Sequence, residues 1–473
     1  MSLPLETAAS LCEAGRSPNA PARIELDGGK TLLLRQLLRV LPGKRITAIG
    51  ELNGLTVVMK LFITPRDSAR HWQRECRGIG MLTQRNLPTP RLLAAGRLQS
   101  RGHYVLTEFI DGSRDLLPLP ETLDDLHLAQ LGLAFKTLGL MHAQGLVHDD
   151  AHLGNFLLKD GAIYIIDGDA VRVSRSVADL LDNLALLLAQ LPPSGEATCR
   201  ETLLAAYRSG NPDLPLDLSP LDSAIARTRQ HRLKDYLKKC LRDCSLFKVE
   251  QQRNRFVAMV RNEADFLAPI LADPDRWLDA GTPLKQGRTA TLALIEHGGR
   301  KLVIKRYNIK GPGHALSRCW RPSRAWHSWV AGHRLEFLGI ATPRPLAMIE
   351  SRYGPLQRLR GTAWLIVEHC NGDSLAARFS TIAPAERPNP DISTIGALFH
   401  QLAEARITHG DLKATNLLWC GTRLSLIDLD AMRQHRDSAA FMRSWQRDRK
   451  RLLRNWPEGS VLGQALDAVL PPG

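Results

Sequence analysis

One polar pattern occurs twice in this chain, and the repeat limits what it can fold into more tightly than any other feature. The run VHDDAHLGNFLL at 147–158 is answered by THGDLKATNLL at 408–418. Setting Asp150 against Asp411 places Asn155 and Asn416 five residues further on, and Asp167 and Asp428 seventeen further on. Upstream, YVLTEFIDG (104–112) matches WLIVEHCNG (364–372), pairing Glu108 with Glu368 and Gly112 with Gly372. Earlier still, LPTPRLL (87–93) matches IATPRPL (340–346). Before each of these a β-rich run carries a lysine, Lys60 in TVVMKLF and Lys305 in KLVIKRY. Shared spacings in the same order predict two copies of one structural unit. At 473 residues the chain is also too long for one compact core. The expected division is a loose lead-in over 1–25, a first domain over 26–267 and a second over 268–473.

Local patterns place the motifs. The β-branched content of TVVMKLF and KLVIKRY predicts strands. DSARHWQRECRGIGMLTQRN predicts a helix interrupted by Gly and broken at Pro88. FLLKDGAIYIID predicts a hairpin that turns at Asp160-Gly161 and delivers Asp167, and LLWCGTRLSLID repeats it with its turn at Gly421. The basic stretch over about 198–275 reads as helical. The most apolar segment, VADLLDNLALLLAQL at 177–191, is short and carries two Asp, so a buried helix is expected and not a membrane span.

Composition narrows the class. A chain with 44% hydrophobic and 23% charged residues is an ordinary soluble globular protein by make-up. Its start lacks a basic run followed by an apolar one, so no secretion signal is expected. Eight scattered cysteines with no CxxC pair predict free thiols in a reducing cytoplasm. The formal net charge of +15 suits nucleic acid, anionic lipid or phosphorylated substrates alike. With no zinc finger and no basic stripe interleaved with stacking aromatics, no nucleic-acid partner is expected.

Two chemistries compete for the repeated loop. His148, Asp149, Asp150 and His152 are plausible ligands for zinc or manganese. The second copy, however, has Gly410 for Asp149 and Lys413 for His152, so a four-ligand cage does not survive the comparison. Both copies keep Lys, Asp, Asn and Asp, and phosphoryl transfer uses every one of them. Lys60 or Lys305 can hold the α- and β-phosphates of a nucleotide as a point charge. Mg²⁺ is a hard ion that takes carboxylate and amide oxygens, which Asn155 with Asp167, or Asn416 with Asp428, supplies. Asp150 or Asp411 then faces the acceptor hydroxyl, orients it and takes its proton. Loop capping accounts for one such aspartate, but not for two sets of four polar residues in register.

These residues resemble a known family. HDDAHLGN and HGDLKATN look like the catalytic loop H-x-D-x4-N of the protein-kinase-like superfamily, and IDGD and IDLD stand where its D-F-G begins. Lys60 and Lys305 match that superfamily's β3 lysine, and Glu75, fifteen residues after Lys60, matches the helix glutamate that pairs with it. The spelling HGDLKATNLL with TPRPLA upstream is similar to the lipopolysaccharide core kinases, the Kdo and heptose kinases related to WaaP and InaA proteins. The resemblance runs from about 40 to 250 and again from about 278 to 455. It implies an α+β fold of two tandem bilobal kinase-like domains, each with a small β-rich lobe and a helical lobe. It further implies ATP and Mg²⁺ as cofactors and a heptose or Kdo hydroxyl of the lipopolysaccharide core, or a lipid-linked sugar, as acceptor. On this assignment Asp150 and Asp411 are catalytic, and Lys60, Glu75, Lys305 and Lys413 bind ATP. Asn155, Asp167, Asn416 and Asp428 hold the metal.

The departures from the family pattern carry their own expectations. Neither half spells G-x-G-x-x-G: ITAIGELNGLTVV offers Gly50 and Gly54, and LKQGRTATLAL offers Gly287. Ser328 stands opposite Glu75, with Glu336 two turns on, so the first half, which keeps both Lys60 and Glu75, reads as the better-equipped centre. The second half has the more standard catalytic loop, with Lys413 placed to reach the γ-phosphate. Asp149 and Gly410 replace the arginine of H-R-D, and no long activation segment or A-P-E follows, which favours a small or lipid-linked substrate over a protein. A pseudokinase scaffold for core assembly and a kinase for another small molecule or protein are the alternatives. FMRSWQRDRKRLLRNW at 441–456 gathers Phe441, Trp445, Leu452 and Trp456 on one helix face, either for its own lobe or for a membrane interface. The expected location is the cytoplasm, with peripheral contact at the inner membrane as the extension of that second option.

Overall fold

The computed structural model describes residues 3–99, 101–120, 123–191, 193–214, 217–252, 254–287, 289–308, 321–353, 359–380 and 390–472. The protein is mixed α+β and divides into two compact units, Met1–Gln230 and His231–Gly473.

In the first unit a seven-stranded sheet sets the frame. Its strands lie in the order Leu5–Glu6, Ala22–Glu25, Thr31–Leu41, Arg45–Leu52, Leu55–Phe62, His103–Glu108 and Leu92–Arg97. TVVMKLF sits in the strand Leu55–Phe62, with Lys60 opposite Thr47 on one side and Val105 on the other. Alternation along that strand buries Val57, Met59 and Leu61 with Leu34, Ile46 and Ala48, which leaves Lys60 for the opposite face. Residues 5–25, expected as a loose lead-in, join this sheet. The helix Ala8–Glu13 within them is closed by a capping box between Thr7 and Ser10 and buries Ala8 and Leu11. So short a helix and a two-residue strand have too few residues to show a period.

Helices Asp125–Ala143, Val177–Leu188 and Pro193–Gly210 enclose a separate apolar core around Phe135, Leu138, Leu184, Leu188 and Tyr207. VADLLDNLALLL is buried as expected, and among the described residues no helix is long and apolar enough to cross a membrane. Between the strand Phe156–Lys159 and the strand Ala162–Ile165, Asp160 and Gly161 both take positive φ, as the tight hairpin turn requires.

The second unit has its own seven-stranded sheet, in the order Phe247–Gln252, Arg255–Val260, Pro345–Tyr353, Leu359–Glu368, Arg300–Tyr307, Ala290–His297 and Thr282–Gln286. Its first two strands correct the helical reading of 198–275, and they bring residues before 268 into the second sheet. RFVAMV is covered on both sides. Val257 and Met259 pack with Leu267, Ile270 and Leu278, while Phe256, Ala258 and Val260 pack with Ala325 and Trp329. A strand buried on both faces loses the alternation that would reveal it.

The second hairpin, Leu417–Cys420 with Arg423–Leu426, also forms as expected. A pairing of Asp373 with Trp419 brings Cys370 beside Cys420, and the two form a disulfide across Cα atoms 6.2 Å apart. This corrects the expectation of free thiols for that pair, whose separation of 50 residues gives no hint of contact. Cys319 lies outside the described residues. The helix Ser438–Leu453 buries Phe441, Trp445 and Leu452, so its apolar stripe packs onto its own lobe.

One buried titratable group gives the first unit a pH signature. His142 is 4% exposed, with Nδ1 2.8 Å from Tyr207 Oη, and burial pushes its pKa down to about 4, opposed in part by Asn183. A histidine held below its unfolded value contributes stability that is full above pH 6.5 and lost as the pH falls toward 4. Urea melts at pH 7 and pH 5 should show His142→Gln losing about 2 kcal/mol less than wild type on acidification.

Candidate active site

In the first unit, strand, helix and hairpin deliver three of the expected residues to one point. Lys60 Nζ lies 2.5 Å from Glu75 Oε1 and 3.0 Å from Asp167 Oδ1. Glu75 comes from the helix Ser68–Gln84 and also accepts the backbone N–H groups of Gly168 (3.2 Å) and Asp169 (3.1 Å). It can do so because helix and turn meet backbone to backbone: a Cβ on Gly78 would stand 1.9 Å from Gly168 O. Asp167 takes a left-handed conformation, φ 67° and ψ 63°. Burial pushes its carboxyl up, but Lys60 and Arg45 overcome this and hold it well below the usual carboxylate range.

Arg45, with Nη1 3.5 Å from Asp167 Oδ1, is a site residue that the sequence reading missed. It also lies at a different turn from the glycines of ITAIGELNGLTVV. Gly50 lies inside the strand Arg45–Leu52, and Gly54 turns the end of the hairpin seven residues from Thr47, the partner of Lys60. Seven residues of strand span roughly 20 Å. The turn on the Asp167 side is Pro42-Gly43-Lys44, just before Arg45, with Gly43 at φ 64°. In the second unit Gly287 does stand in the matching turn, between Thr282–Gln286 and Ala290–His297.

The second unit repeats the lysine–aspartate contact but not the glutamate. Lys305 Nζ lies 2.6 Å from Asp428 Oδ1, and Asp428 is again left-handed, φ 59° and ψ 57°. Ser328 occupies the helix position of Glu75, while Glu336 bonds His333 (2.8 Å) and pairs with Arg344 (3.6 Å). A carboxylate nevertheless reaches the lysine: Asp430, two residues past Asp428, is 3.0 Å from Nζ. The second Asp of IDLD was the available signal, but its first-unit counterpart, Asp169, turns instead to His71 and Arg74.

Around each of the two repeated loops the same hydrogen bonds recur, and they explain why the motif repeats. His148 Nε2 is 3.0 Å from Ile166 O, with Asp150 N–H donating to its Nδ1 at 3.3 Å. His409 does the same with Ile427 O (2.9 Å) and Asp411 N–H (3.4 Å). The shared histidines therefore tie the loop to the residue before each left-handed aspartate. Asn155 Nδ2 donates to Asp150 O, and Asn416 Nδ2 to Asp411 O, both at 2.8 Å. Thr89 and Thr342 of the two TPR turns donate to Ile165 O (2.9 Å) and Leu426 O (2.8 Å), clamping the strands that deliver Asp167 and Asp428. A side chain from the next helix receives the loop's amides, Asn183 for His148 and Asp448 for His409 and Gly410.

The two loops differ in charge. Asp411 is flanked by Lys413 at 3.0 Å and by Arg451 at 3.4 Å, the latter from the helix Ser438–Leu453 and unforeseen. Asp150 instead has His152 at 3.7 Å, whose pKa burial lowers against the pull of Asp150. Asp149 turns away to Arg172, 2.8 Å, and the His148 ring is committed to the loop. Among the described residues no group of three or more His, Cys, Asp or Glu is placed as a metal cage.

The donor set suits a nucleotide with a hard cation. Each Asn spends its amide nitrogen on the loop, and no described hydrogen bond engages its Oδ1, the atom a cation would take. Asp428 is a third exposed on its side chain, against 11% for Lys305 beside it.

Residues 276–464 match the lipopolysaccharide kinase (Kdo/WaaP) family, which bears out over that span the resemblance carried by HGDLKATNLL. Similar solved structures include WaaP in complex with acyl carrier protein, at 19% identity, covering 42% of this chain and 89% of that one with a TM-score of 0.34. Amicoumacin kinase hAmiN in complex with AMP-PNP, Ca²⁺ and Ami is similar at 15% identity over 44% of this chain and 89% of that one, TM-score 0.31. Vaccinia related kinase 3 is similar at 12% identity over 47% of this chain and 94% of that one, TM-score 0.30. Among curated proteins there is no match.

The glycine contact is directly testable. Gly78→Ala should force the helix off the turn, withdraw Glu75 from Lys60 and destabilise the first unit by about 1–3 kcal/mol in urea unfolding.

Proposed function

We propose that this chain is a kinase that transfers the γ-phosphate of ATP, with Mg²⁺, to a heptose or Kdo hydroxyl of the lipopolysaccharide inner core. The observation that carries the reading is the pairing of Lys305 with Asp428 and of Asn416 with Asp411, the two pairs tied by Ile427 N–H donating to Asn416 O, inside the span matched to the lipopolysaccharide kinase family. On this reading the halves are tandem bilobal domains, and the second is the main catalytic centre. Lys305 positions the phosphates, Asp428 and Asn416 offer oxygens to the metal, and Asp411 orients the acceptor hydroxyl and takes its proton. Bound Mg²⁺–ATP supplies the transferable phosphoryl group and the positive charge that offsets its departure. Lys413 and Arg451 add positive charge beside Asp411, which suits an anionic, phosphorylated glycolipid, as does the net charge of +15. With such an acceptor and ATP as donor, the protein works at the cytoplasmic face of the inner membrane.

Arg45 against Asp167 supports a second reading for the first unit alone, a nucleotide-binding scaffold whose metal-side carboxylate already has a fixed cation. Asp411→Ala should lower kcat for core phosphorylation about 10²- to 10⁴-fold, with circular dichroism unchanged, while Asp150→Ala leaves most activity. The reverse pattern moves the centre to the first unit. Full activity in the double variant, or core oligosaccharide of unchanged mass from a strain lacking the chain, removes the sugar-kinase reading.

A further inference from the structure

The missing glutamate of the second unit raises a question that the parts of the site described so far leave open: what keeps Lys305 in place when Asp428 turns to a metal? We propose that Asp430 is the positioning residue for Lys305, supplying from the turn the carboxylate that the first unit supplies from its helix. The inference rests on the second unit acting as the catalytic centre and adds to that reading a residue outside the expected set.

The contacts argue for a fixed anchor. Asp430 Oδ1 accepts from Lys305 Nζ at 3.0 Å, Tyr307 Oη at 2.7 Å and Ser328 Oγ at 2.6 Å. Its Oδ2 accepts from Lys305 Nζ at 3.1 Å and from Arg324. The carboxylate is 8% exposed, against 34% for Asp428. Four donors from one strand and one helix hold Asp430, so it cannot follow a ligand. Asp428, more open and held by the lysine, can. Two carboxylates on one turn thus divide the work that Glu75 and Asp167 divide across helix and turn.

Substitutions at matching positions make the exchange coherent. Glu75 reaches the turn because Gly78 and Gly168 let two backbones touch. Three residues after Ser328 stands Ala331, and Leu429 follows Asp428 where Gly168 follows Asp167. A Cβ at the first of these positions forbids the approach seen in the first unit. With helix and turn held further apart, a turn-borne Asp meets a short Ser across the gap. Tyr307 stands two residues after its lysine where the first unit has Phe62, and its hydroxyl completes the cradle. Arg324 stands four residues before Ser328, where the first unit has His71, and pairs with Asp430 as His71 pairs with Asp169.

A double-mutant cycle on the full-length chain tests this, reading the Kd of a fluorescent ATP analogue with Mg²⁺ and the KM for ATP with core acceptor. Both are measured in a background carrying Lys60→Met, which silences the first unit. Asp430→Asn should raise both constants roughly 10- to 100-fold, the weight of a charge-assisted contact. In a Lys305→Met background it should add almost nothing, because its effect passes through that lysine. Ser328→Glu combined with Asp430→Asn should recover at least about a third of the loss on a logarithmic scale, since the charge returns from the helix side. This pair also serves if Asp430→Asn alone does not fold. Unchanged constants in folded Asp430→Asn, or an equal loss with and without Lys305, overturn the proposal. A wild type that binds the analogue but phosphorylates nothing overturns the kinase reading instead, and the binding arm still decides the role of Asp430.

Discussion

An ammonium group placed in a largely buried cleft costs free energy unless carboxylates meet it, and both units are built around meeting that demand. Lys60 and Lys305 project from sheet strands whose other face is core, so each can satisfy its charge only from the side where helix and hairpin converge. Removing one partner of such a buried pair costs about 3–5 kcal/mol, enough to consume much of a domain's stability. The folding problem and the chemical problem therefore have one solution. The same carboxylates that make the lysine tolerable bring the helix and the end of the hairpin into register with the sheet.

The second layer of organisation is the hydrogen-bonded frame beneath Asp150 and Asp411. Histidine, asparagine and threonine act as fasteners there, joining the loop to the strand end and the strand end to the TPR turn. None of these bonds requires a ligand. They fix the backbone while leaving Asp150 and Asp411 partly exposed. Gly410 belongs to the same frame: at φ 79°, with Ala431 O 2.6 Å from where its Cβ would lie, the position excludes any side chain.

Much of this was legible in the sequence because the repeat reports constraints common to both halves. Lys60, Asp150, Asn155, Asp167 and their counterparts were found from spacing, and the strands and hairpins around them from β-branched content and turn residues. What stayed hidden was whatever the halves do differently. Asp430 and Arg45 have no matching role in the other unit, so comparing the copies filtered them out. Arg451 lies forty residues from Asp411 in a helix that reads as generic basic surface. The strand Arg255–Val260 escaped because burial on both faces erases periodicity, and the disulfide because its partners meet only through sheet pairing.

The left-handed backbone at Asp167 and Asp428 bears on how these positions can be altered. Asparagine visits that region readily, whereas alanine is excluded from it at a cost of about 1–2 kcal/mol. An amide replacement there removes charge and keeps the chain path, while truncation changes both at once. Natural drift in this protein therefore has a gentle route at these two sites from a charged carboxylate to an uncharged amide, with the surrounding architecture preserved.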